Sequence, residues 1–549
     1  MFELLPDQAK QAAVEYKLSD RAARDFAAEP PRGGFYPDRV AAIMLVQGDQ
    51  WLQLAHWPNK GYAHASADPI QKGPVVTPAF RVPHKKAALW AQETALRLAG
   101  YWTYDWAYET LRGAVVPSGD IMKAAAPLTT TYPENPTLYY AVLNDASELD
   151  QPGEYVINTD SGEATVWPYP GTATESVETS TLLEVRGAHD VRIDHLAFRG
   201  ALDTAILVEN SDRIVITNSW VAIAGKIGIG INGGQNDAIE RTVISDIGET
   251  GVVLKGGDRA TLKPGGHALT DSVVTRYGVL TRTYRPAVSI NGVGLRVEGS
   301  LLEDGPFGAV IIAGNDNIIR NNEIAHVVRE AGDAGAVYSG RNLSWRGNII
   351  QGNYFHDIMP DIGPGKTPRG VYLDDYLSGN SVKDNVFYKV GNPVYIHGGS
   401  DNAITHNFFA CVTPDAIFKH NESEAAWKNG GLSLPLVDAA RRAGIPAGSL
   451  PLYLSRYPDM DRGLSPEGYI AKNDRTTGNV VAGNADFENW GPVTEPFDPP
   501  RHIPDLSCDV REAQQSDYVA TAAAKFGFVL ADRRAALRAI PYYSAAMPQ

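Results

Sequence analysis

One six-residue pattern occurs four times between residues 319 and 409, as IRNNEI (319–324), IQGNYF (350–355), VKDNVF (382–387) and ITHNFF (404–409). With looser copies included, the pattern starts at Ile193, Ile216, Ile239, Leu269, Val297, Ile319, Ile350, Val382 and Ile404. The base step is 22–23 residues, and some steps carry insertions. This repeat predicts a parallel β-solenoid with one coil per step, whose insertions form loops on one face.

The fourth position of the pattern is polar in eight successive copies. These residues are Ser219, Thr242, Ser272, Ser300, Asn322, Asn353, Asn385 and Asn407. Stacked in register, their side chains would hydrogen-bond from coil to coil at a bend. The alternative is that each one is a separate turn former. Both interpretations are structural.

A second apolar-alternating segment precedes each copy, for example PVYIHGG (393–399). Successive side chains of a β-strand face opposite ways. We therefore predict that Val394 and Ile396 point inward, whereas Tyr395 and His397 point outward.

The same alternation applies to GVYLDD (370–375). It predicts that Val371 and Leu373 are buried and that Tyr372 and Asp374 are exposed. By the same alternation the side chain of Asp375 would point inward, near the turn. Asp374 is therefore predicted to be the solvent-facing carboxylate of the two.

The remaining sequence predicts the domain organisation of an all-β protein. Residues 1–25 form an N-terminal segment, and residues 26–175 form a β-rich domain packed on the solenoid or inserted before it. The parallel β-helix spans 176–490, with an excursion at about 426–475 where the repeat is lost. Residues 491–549 form a tail whose Ala-rich helical stretch would cap the C-terminal end of the solenoid.

Composition excludes several classes of protein. With 49 basic and 64 acidic residues the net charge is −15, so the surface repels phosphate backbones and anionic membranes, and we predict neither a nucleic-acid nor a membrane partner. No apolar run reaches the length of a bilayer span, and the start MFELLPDQAKQ lacks the apolar core of a signal peptide. Two cysteines, Cys411 and Cys508, exclude a disulfide framework, and two buried free thiols are expected rather than one bridge.

Acidic, basic, aromatic and glycine residues gather in the longest steps, REAGDAGAVYSGRNLSWRGN (329–348) and DIGPGKTPRGVYLDDYLSG (361–379). Adjacent coils lie about 4.8 Å apart. Carboxylates on two such coils would therefore reach the roughly 5–10 Å separation that glycosidases use. We predict Asp333 and Asp374 as a catalytic pair, with Asp375 and Glu330 as substitutes. The alternative is that these aspartates are turn residues bonded to their own backbone.

Further residues are predicted to bind a sugar, because aromatic rings and bidentate donors suit sugar rings and hydroxyls. On the face of the predicted pair these residues are Tyr338, Arg341, Trp345, Tyr372 and His397. The loop TRTYRP (281–286) adds Arg282, Tyr284 and Arg285. Trp57 and Trp102 lie in aromatic runs that are either the core of the β-rich domain or a platform over the cleft. No metal, nucleotide or serine-hydrolase motif is convincing.

An ordered series of motifs resembles glycoside hydrolase family 141. The series includes LAHWPNKGY (54–62), GYWTYDWA (100–107), GGDRATLKPGG (256–266), RTYRPAVSINGVG (282–294), GDAGAVYSGRN (332–342) and VYLDDYLSG (371–379), and it runs from about residue 40 to 490. The resemblance implies a right-handed parallel β-helix with α-L-fucosidase or xylanase activity, in a secreted or periplasmic protein. It also implies hydrolysis by two carboxylates on adjacent coils, for which Asp333 and Asp374 occupy the matching motifs.

The sequence therefore predicts a glycoside hydrolase that needs no cofactor and acts, by exo attack, on a plant, algal or bacterial polysaccharide or oligosaccharide. One alternative is a β-helix polysaccharide lyase, in which Tyr338, Arg341 or Lys366 would act as base and Ca²⁺ would neutralise a uronate. Another is a non-catalytic glycan-binding solenoid, since one fold hosts many functions. Sugar, linkage, stereochemical outcome and oligomeric state stay open.

Overall fold

The structure is a computed structural model that describes residues 2–29, 31–66, 77–92, 95–102, 104–116, 120–125, 127, 137–171, 173–359, 367–412, 415–420, 436–464, 472–490 and 497–547. Its main body is a right-handed parallel β-helix with three long sheets, as the repeat predicted. The first nine coils run through the sheets in the order sheet 1, sheet 2, sheet 3. Lys366 lies outside the described residues.

Sheet 1 carries the longest strands. They are Leu183–Arg186, Thr204–Asp212, Ile227–Gln235, Thr250–Gly256, Val288–Val293, Val310–Asn315, Gly335–Gly340, Arg369–Asp374, Asn392–His397, Asp415–His420 and Asp486–Trp490. Sheet 2 contains Arg192–Asp194, Val215–Thr217, Ala238–Glu240, Ala268–Thr270, Arg296–Glu298, Ile318–Arg320, Ile349–Gln351, Ser381–Lys383 and Ala403–Thr405. Sheet 3 contains Ala197–Ala201, Trp220–Ala224, Val243–Ile247, Val273–Thr275, Leu301–Glu303, Glu323–Ala325, Tyr354–Ile358, Val386–Val390, Phe408–Ala410, Val480–Ala482 and Arg501–Ile503.

The nine predicted pattern starts stack directly on one another in sheet 2. The register pairs Ile193 with Ile216, and the pairing continues coil by coil to Val382 with Ile404. All nine side chains are buried in the solenoid core. The coil assignment is therefore confirmed, because an inward apolar residue at a fixed step can be buried only if the coils stack in register.

The polar fourth positions form a buried ladder at the bend between sheets 2 and 3, so the coil-to-coil interpretation is confirmed. The side-chain oxygen of Asn353 accepts bonds from the backbone nitrogen and the side-chain nitrogen of Asn322, both at 3.0 Å. Asn353 in turn donates to Asn385 at 3.0 Å. A second ladder, which the sequence interpretation missed, joins Asn348 to Asn380 at the bend between sheets 1 and 2.

Asn353→Ala is expected to lower the free energy of unfolding by about 2–4 kcal/mol. The substitution leaves the buried donors of Asn322 without an acceptor, and each such group costs roughly 1–3 kcal/mol. The measurement is urea unfolding. Gln351→Ala on the same coil is the control, because Gln351 bonds to Asp384 in a partly exposed position and is expected to cost less than about 1 kcal/mol. Equal losses for both variants would contradict the buried ladder.

An N-terminal β-rich domain packs beside the β-helix. Its strands are Val14–Lys17, Arg32–Gly33, Leu45–Gln47, Gln50–Trp51, Gln53–Leu54, His56–Trp57, Ala63–Ser66, Ala79–Arg81, Arg97–Tyr101, Tyr108–Val116, Ile121–Ala124, Thr137–Leu143, Glu154–Asn158, Glu163–Trp167 and Thr174–Ser176. Its helices are Asp7–Ala12, Asp20–Ala28 and His84–Trp90, with 3₁₀ turns at Phe2–Leu4 and Ala146–Glu148. Because Val14–Lys17 pairs with Glu163–Trp167, part of the predicted N-terminal segment joins a sheet of this domain.

The predicted excursion contains the short helices Leu436–Arg442, Leu450–Arg456 and Met460–Gly463. They pack together around Tyr453 and Tyr457. Among the helices of the described residues, none combines the length and apolar character needed to cross a bilayer.

The C-terminal tail lies along the outer face of sheet 3, which corrects the prediction that it caps the end of the solenoid. The tail contains the helices Glu512–Ala524, Arg534–Leu537 and Tyr543–Ala546. Val519 packs near Phe408, and Ile540 packs in one cluster with Val243, several coils closer to the N-terminus. The outward side chains of sheet 3 are apolar and aromatic, so covering them removes more apolar surface from water than covering one end would.

Cys411 and Cys508 form a disulfide, which corrects the expectation of two buried free thiols. Neither residue is fully buried, and the tail places Cys508 beside the sheet 3 strand that precedes Cys411. The Cα atoms are 5.7 Å apart although 97 positions separate the residues in sequence. Only the path of the tail brings these cysteines together.

Candidate functional site

The outer face of sheet 1 carries two rows of side chains in register on consecutive coils. One row is aromatic and consists of Tyr338, Tyr372, Tyr395 and Phe418. The rings contact their neighbours, with centroids 5.4, 5.0 and 5.1 Å apart along the row. The second row is polar and consists of Asp374, His397 and His420, with the two imidazole rings stacked at 5.0 Å.

Asp374 lies at the centre of this surface with both carboxylate oxygens engaged. Oδ1 accepts from the His397 ring at 2.8 Å and from the backbone nitrogen of Asp375 at 2.8 Å. Oδ2 accepts from the hydroxyl of Tyr338 at 2.7 Å. Only 9% of the side chain is exposed. Asp374 therefore faces outward as predicted, but it is not the solvent-facing carboxylate, and Tyr372 on the same face is buried as well.

Asp375 also lies on the outer surface, which corrects its predicted inward orientation. The strand ends at Asp374, and Asp375 and Tyr376 adopt left-handed backbone conformations with φ of 35° and 59°. Strict alternation holds only while the backbone stays extended. The Asp375 carboxylate accepts a bond from Arg341 at 2.8 Å and lies 3.6 Å from the His397 ring.

The two consecutive aspartates differ in acidity. Burial opposes ionisation of Asp374, but the hydrogen bonds from His397 and Tyr338 outweigh it and hold the pKa of Asp374 below its usual value. Burial and the negative charge of Asp374 raise the pKa of Asp375, and His397 and Arg341 only partly offset this rise. The environment therefore favours an ionised Asp374 and a more easily protonated Asp375.

Burial alone would lower the pKa of His397, but its hydrogen bond to Asp374 and the nearby carboxylate charges raise that pKa above the ordinary 6.5. The stabilisation from protonated His397 is therefore complete below pH 6.5 and is lost as the pH rises through the raised value. The pKa of Asp374 is lowered from its ordinary 3.8. The stabilisation from ionised Asp374 is therefore complete above pH 3.8 and is lost as the pH falls through the lowered pKa.

We therefore expect His397→Asn to destabilise the protein by about 1–2 kcal/mol near pH 5.5 and by much less near pH 9. The measurement is urea unfolding of wild type and variant at both pH values. His406→Asn is the control, because His406 is largely exposed and follows the sheet 2 strand Ala403–Thr405. Its effect on stability should be the same at both pH values. A destabilisation by His397→Asn that is independent of pH would contradict the assigned charge.

Asp333 is the most exposed of the three predicted aspartates, with 47% of its side chain accessible. Its Oδ1 accepts from Arg369 at 2.9 Å and from the hydroxyl of Tyr372 at 3.0 Å. Among the described residues nothing donates to Oδ2. Arg369 is itself held over the rings of Tyr372 and Tyr395, at 4.3 and 4.2 Å from their centroids. Asp333 is thus fixed through one oxygen and open through the other.

An aromatic wall stands beside the aspartates. The ring of Tyr284 contacts Phe307 of the β-helix at 5.0 Å and Phe35 of the β-rich domain at 4.9 Å. Burial, together with the charges of the three aspartates, raises the pKa of Tyr284. The backbone nitrogen of Gly332 donates to the carbonyl of Asp105 at 2.9 Å, which ties the loop before Asp333 to the β-rich domain. The domain therefore forms one side of the site.

Seven predicted residues come together here. They are Asp333, Tyr338, Arg341, Tyr372, Asp374, Asp375 and His397, with Tyr284 alongside. Their catalytic and binding roles stay a prediction.

The other predicted residues lie elsewhere. Trp57 packs against Trp90, and Trp102 is buried in the same core of the β-rich domain, so the core interpretation is correct for these two tryptophans. Trp345 packs against the solenoid core. Arg285 is buried in ion pairs with Glu249 and Asp38.

Arg282 does not point to the aspartates either. Its Nε lies 3.1 Å from both oxygens of Glu330, the predicted substitute carboxylate, which is 2% exposed. Glu330 also accepts from the hydroxyl of Tyr62 at 2.7 Å. Burial would raise the pKa of Glu330, but Arg282 and the tyrosine hydroxyls lower it. The pair connects the β-helix to the β-rich domain.

Sequence reasoning placed Tyr395 on the outer face without assigning it to the site, and it missed Arg369, Phe418 and His420. Tyr395 and Phe418 occupy the same strand position as Tyr338 and Tyr372. Aligning the second strand of each coil would therefore have found them. No sequence signal indicates Arg369, because its placement over two rings depends on the tertiary structure.

Asp374, Asp375 and His397 offer three ligand atoms that lie within 4.8 Å of one another. Ca²⁺ prefers six to eight oxygen ligands, so two carboxylates and an imidazole fit it poorly. Such a mixed set is more typical of a transition metal.

Comparisons with known proteins agree with the fold. Residues 286–429 match the family model described as "Right handed beta helix region". A solved structure titled "Glycoside hydrolase" has 13% identity and a TM-score of 0.51, covering 68% of this chain and 78% of that chain.

Two further similar structures have lower TM-scores. The catalytic unit of a GH87 alpha-1,3-glucanase from Streptomyces thermodiastaticus has 9% identity and a TM-score of 0.33, covering 89% of this chain and 99% of that one. PfbA, a surface adhesin of Streptococcus pneumoniae, has 11% identity and a TM-score of 0.36, covering 56% and 70%. No curated protein sequence matches the chain. At these identities the comparisons show a shared fold only.

Proposed function

We propose that this protein is a carbohydrate-active enzyme that hydrolyses a glycosidic bond on the outer face of sheet 1. The observation that carries the proposal is the placement of three aspartates beside Tyr284, among which Asp333 has an exposed carboxylate and Asp375 has a raised pKa. Glycoside hydrolysis requires one carboxylic acid and one carboxylate flanking the scissile bond. In such sites the general acid is the carboxyl group whose environment raises its pKa.

The contacts favour Asp333 and Asp375 as the reacting carboxylates. Asp333 has an exposed oxygen that can attack the sugar or activate water, while Arg369 and Tyr372 fix its orientation. Asp375 has the raised pKa that a general acid requires. Asp374 uses both oxygens on neighbouring groups, so we assign it to positioning His397 and Tyr338. This differs from the sequence-based pair of Asp333 with Asp374, and the variants below distinguish the two.

The aromatic row and the arginines support a sugar substrate. Aromatic side chains suit sugar rings, and Tyr338, Tyr395 and Phe418 of the row are partly exposed. Arg341 adds a largely exposed guanidinium beside Asp375. The family resemblance favours α-L-fucosides and xylans. The disulfide between Cys411 and Cys508 supports an oxidising compartment, consistent with the secreted or periplasmic location that the resemblance implies.

The experiment is release of reducing sugar from a panel of aryl fucosides and xylosides, fucosylated glycans, xylans and arabinans. Wild type, Asp374→Asn and Asp375→Asn are assayed together. Loss of activity in Asp375→Asn that exceeds the loss in Asp374→Asn supports the assignment above, and the reverse order supports the sequence-based pair. Full activity in both variants, or no turnover of any glycan by the wild type, would contradict the proposal.

A cation-dependent polysaccharide lyase is the second candidate, and the cluster of Asp374, Asp375 and His397 is the observation in its favour. A lyase produces an unsaturated, ultraviolet-absorbing sugar, which a hydrolase does not. The same assays are therefore read by absorbance, with and without EDTA. Absorbing product that disappears in EDTA would replace the hydrolase proposal by the lyase.

A further inference from the structure

A cavity of about 400 Å³ lies between the β-rich domain and the β-helix, apart from the aspartate surface. None of the three aspartates lines it. Its floor is formed by small side chains at one register position of three adjacent strands, Ala141, Ala99 and Thr110. Leu54, Leu280 and other apolar side chains line the rest. Because larger residues at the floor would fill this space, the cavity is a direct consequence of these small residues.

One end of the cavity contains a buried arginine with unused hydrogen-bond donors. Arg97 is 7% exposed, and its guanidinium stacks on the ring of Phe26 at 4.6 Å. Its Nη2 donates to the carbonyl of Phe26 at 2.5 Å. Within the described part of the chain, its other side-chain donors have no acceptor and no carboxylate lies within ion-pair distance. Burial lowers the pKa of Arg97, and the charge of Glu29 only partly opposes this effect.

Glu29 does not neutralise Arg97 by contact, because its carboxylate bonds to Arg32 at 2.9 Å. Tyr155 lies near the same end, because it packs in one cluster with Phe26, the residue on whose ring Arg97 stacks. Tyr155 is 4% exposed and lines the cavity, and among the described residues its hydroxyl has no partner. A buried guanidinium and a buried phenol with free donors are suited to an anion that supplies acceptors to both.

The opposite end lies about four strand residues away, or ~13 Å at 3.3 Å per residue. Tyr108 lies at that end, and the hydroxyl of its strand partner Tyr101 donates to Glu330, which lines the cavity together with Arg282. Tyr108 is 7% exposed, and its hydroxyl has no partner within the described residues. The cavity is therefore elongated, cationic at one end, apolar along its floor and mildly polar at the other end.

We propose that this cavity binds a small organic monocarboxylate with an elongated apolar body, held at its carboxylate by Arg97 and Tyr155. The apolar body lies over Ala99 and Ala141. The volume of the cavity, about 400 Å³, falls in the ordinary range for small-molecule sites. A neutral molecule of the same shape would leave the buried Arg97 donors unpaired, so the site selects acids over the corresponding alcohols. This site is separate from the proposed hydrolytic surface and does not depend on it.

The test is calorimetric titration of the full chain with octanoate and 3-phenylpropionate, and with the matched alcohols octan-1-ol and 3-phenylpropan-1-ol. We expect each acid to bind at least about tenfold more tightly than its alcohol, since a charge-assisted hydrogen bond contributes roughly 1.5–3 kcal/mol. Arg97→Met is expected to abolish this preference. Arg112→Met is the matched control and should behave as wild type, because Arg112 pairs with Arg97 across the strands but is exposed.

Two further variants keep the test decisive if Arg97→Met does not fold. Ala141→Leu fills the floor of the cavity and is expected to abolish binding of acids and alcohols alike. Tyr155→Phe removes only the hydroxyl and is expected to weaken acid binding several-fold. The proposal is overturned if no acid binds the wild type, if acids and alcohols bind equally, or if Ala141→Leu leaves acid binding unchanged. Because the readout is binding, these outcomes are independent of glycan turnover.

Discussion

Asp333→Asn is expected to reduce turnover of the glycan substrate by about 10³-fold, the range of a lost acid–base or nucleophilic carboxylate. The amide retains an oxygen that can accept from Arg369 and Tyr372, so the side chain keeps its position. What it loses is the negative charge on the exposed oxygen. The thermal midpoint is expected to stay within a few degrees of wild type, because the Asp333 side chain is nearly half exposed.

The measurement is kcat and KM on the substrate identified by the panel, together with thermal unfolding. Asp190→Asn is the matched control. Asp190 is also an exposed aspartate bonded by an arginine on the neighbouring coil, at 2.6 and 2.8 Å from Arg213, but it lies among the first coils of the β-helix. An effect on KM without an effect on kcat would make Asp333 a binding residue. Unchanged kcat/KM would remove Asp333 from the site.

Arg282→Met is expected to lower the free energy of unfolding by about 3–5 kcal/mol, the typical cost of leaving one partner of a buried ion pair uncompensated. Glu330 would keep its bond from Tyr62 but lose the guanidinium that balances its charge. The contact also joins the β-helix to the β-rich domain. We therefore expect the variant to loosen the domain interface as well as to destabilise the chain.

Urea unfolding of Arg282→Met, Glu330→Gln and the double variant measures this effect. The double variant is expected to recover part of the loss, since it no longer buries an unpaired charge. Arg456→Met is the control, because Arg456 forms an ion pair with Asp316 at 3.0 Å but is 56% exposed. Surface pairs contribute at most about 1 kcal/mol. If Arg282→Met lowers the free energy of unfolding no more than Arg456→Met does, the Arg282–Glu330 pair does not stabilise the domain interface.

The coil assignment could be predicted because it depends on one periodic property. Ile193, Ile216 and the seven later starts need no knowledge of distant contacts, since burying an apolar residue at each step already requires the coils to stack. The asparagine ladder follows from the same register, because residues at equivalent positions of successive coils must be neighbours. The inward and outward sides of Val394 and Tyr395 were predicted correctly for this reason.

The same reasoning located the candidate site, but it did not predict the orientation and exposure of each side chain. Asp333 and the consecutive Asp374 and Asp375 were predicted as one group, and the structure brings them together. The predicted inward orientation of Asp375 was wrong, because the backbone leaves the extended conformation there. Asp374 faces outward as predicted, but its neighbours bury it. Alternation along a strand gives no information beyond the point where the strand ends.

Residue chemistry also failed to separate structural from functional roles. Arg282, Arg285, Trp57 and Trp102 have the side chains that a sugar site requires, yet they form buried ion pairs and the core of the β-rich domain. The sequence by itself determined the parallel β-helix, its register and the coils that carry the aspartates, because these depend on apolar periodicity. The tertiary structure decided which carboxylate is open, which arginines are buried and where the tail lies, because these depend on contacts between residues far apart in the chain.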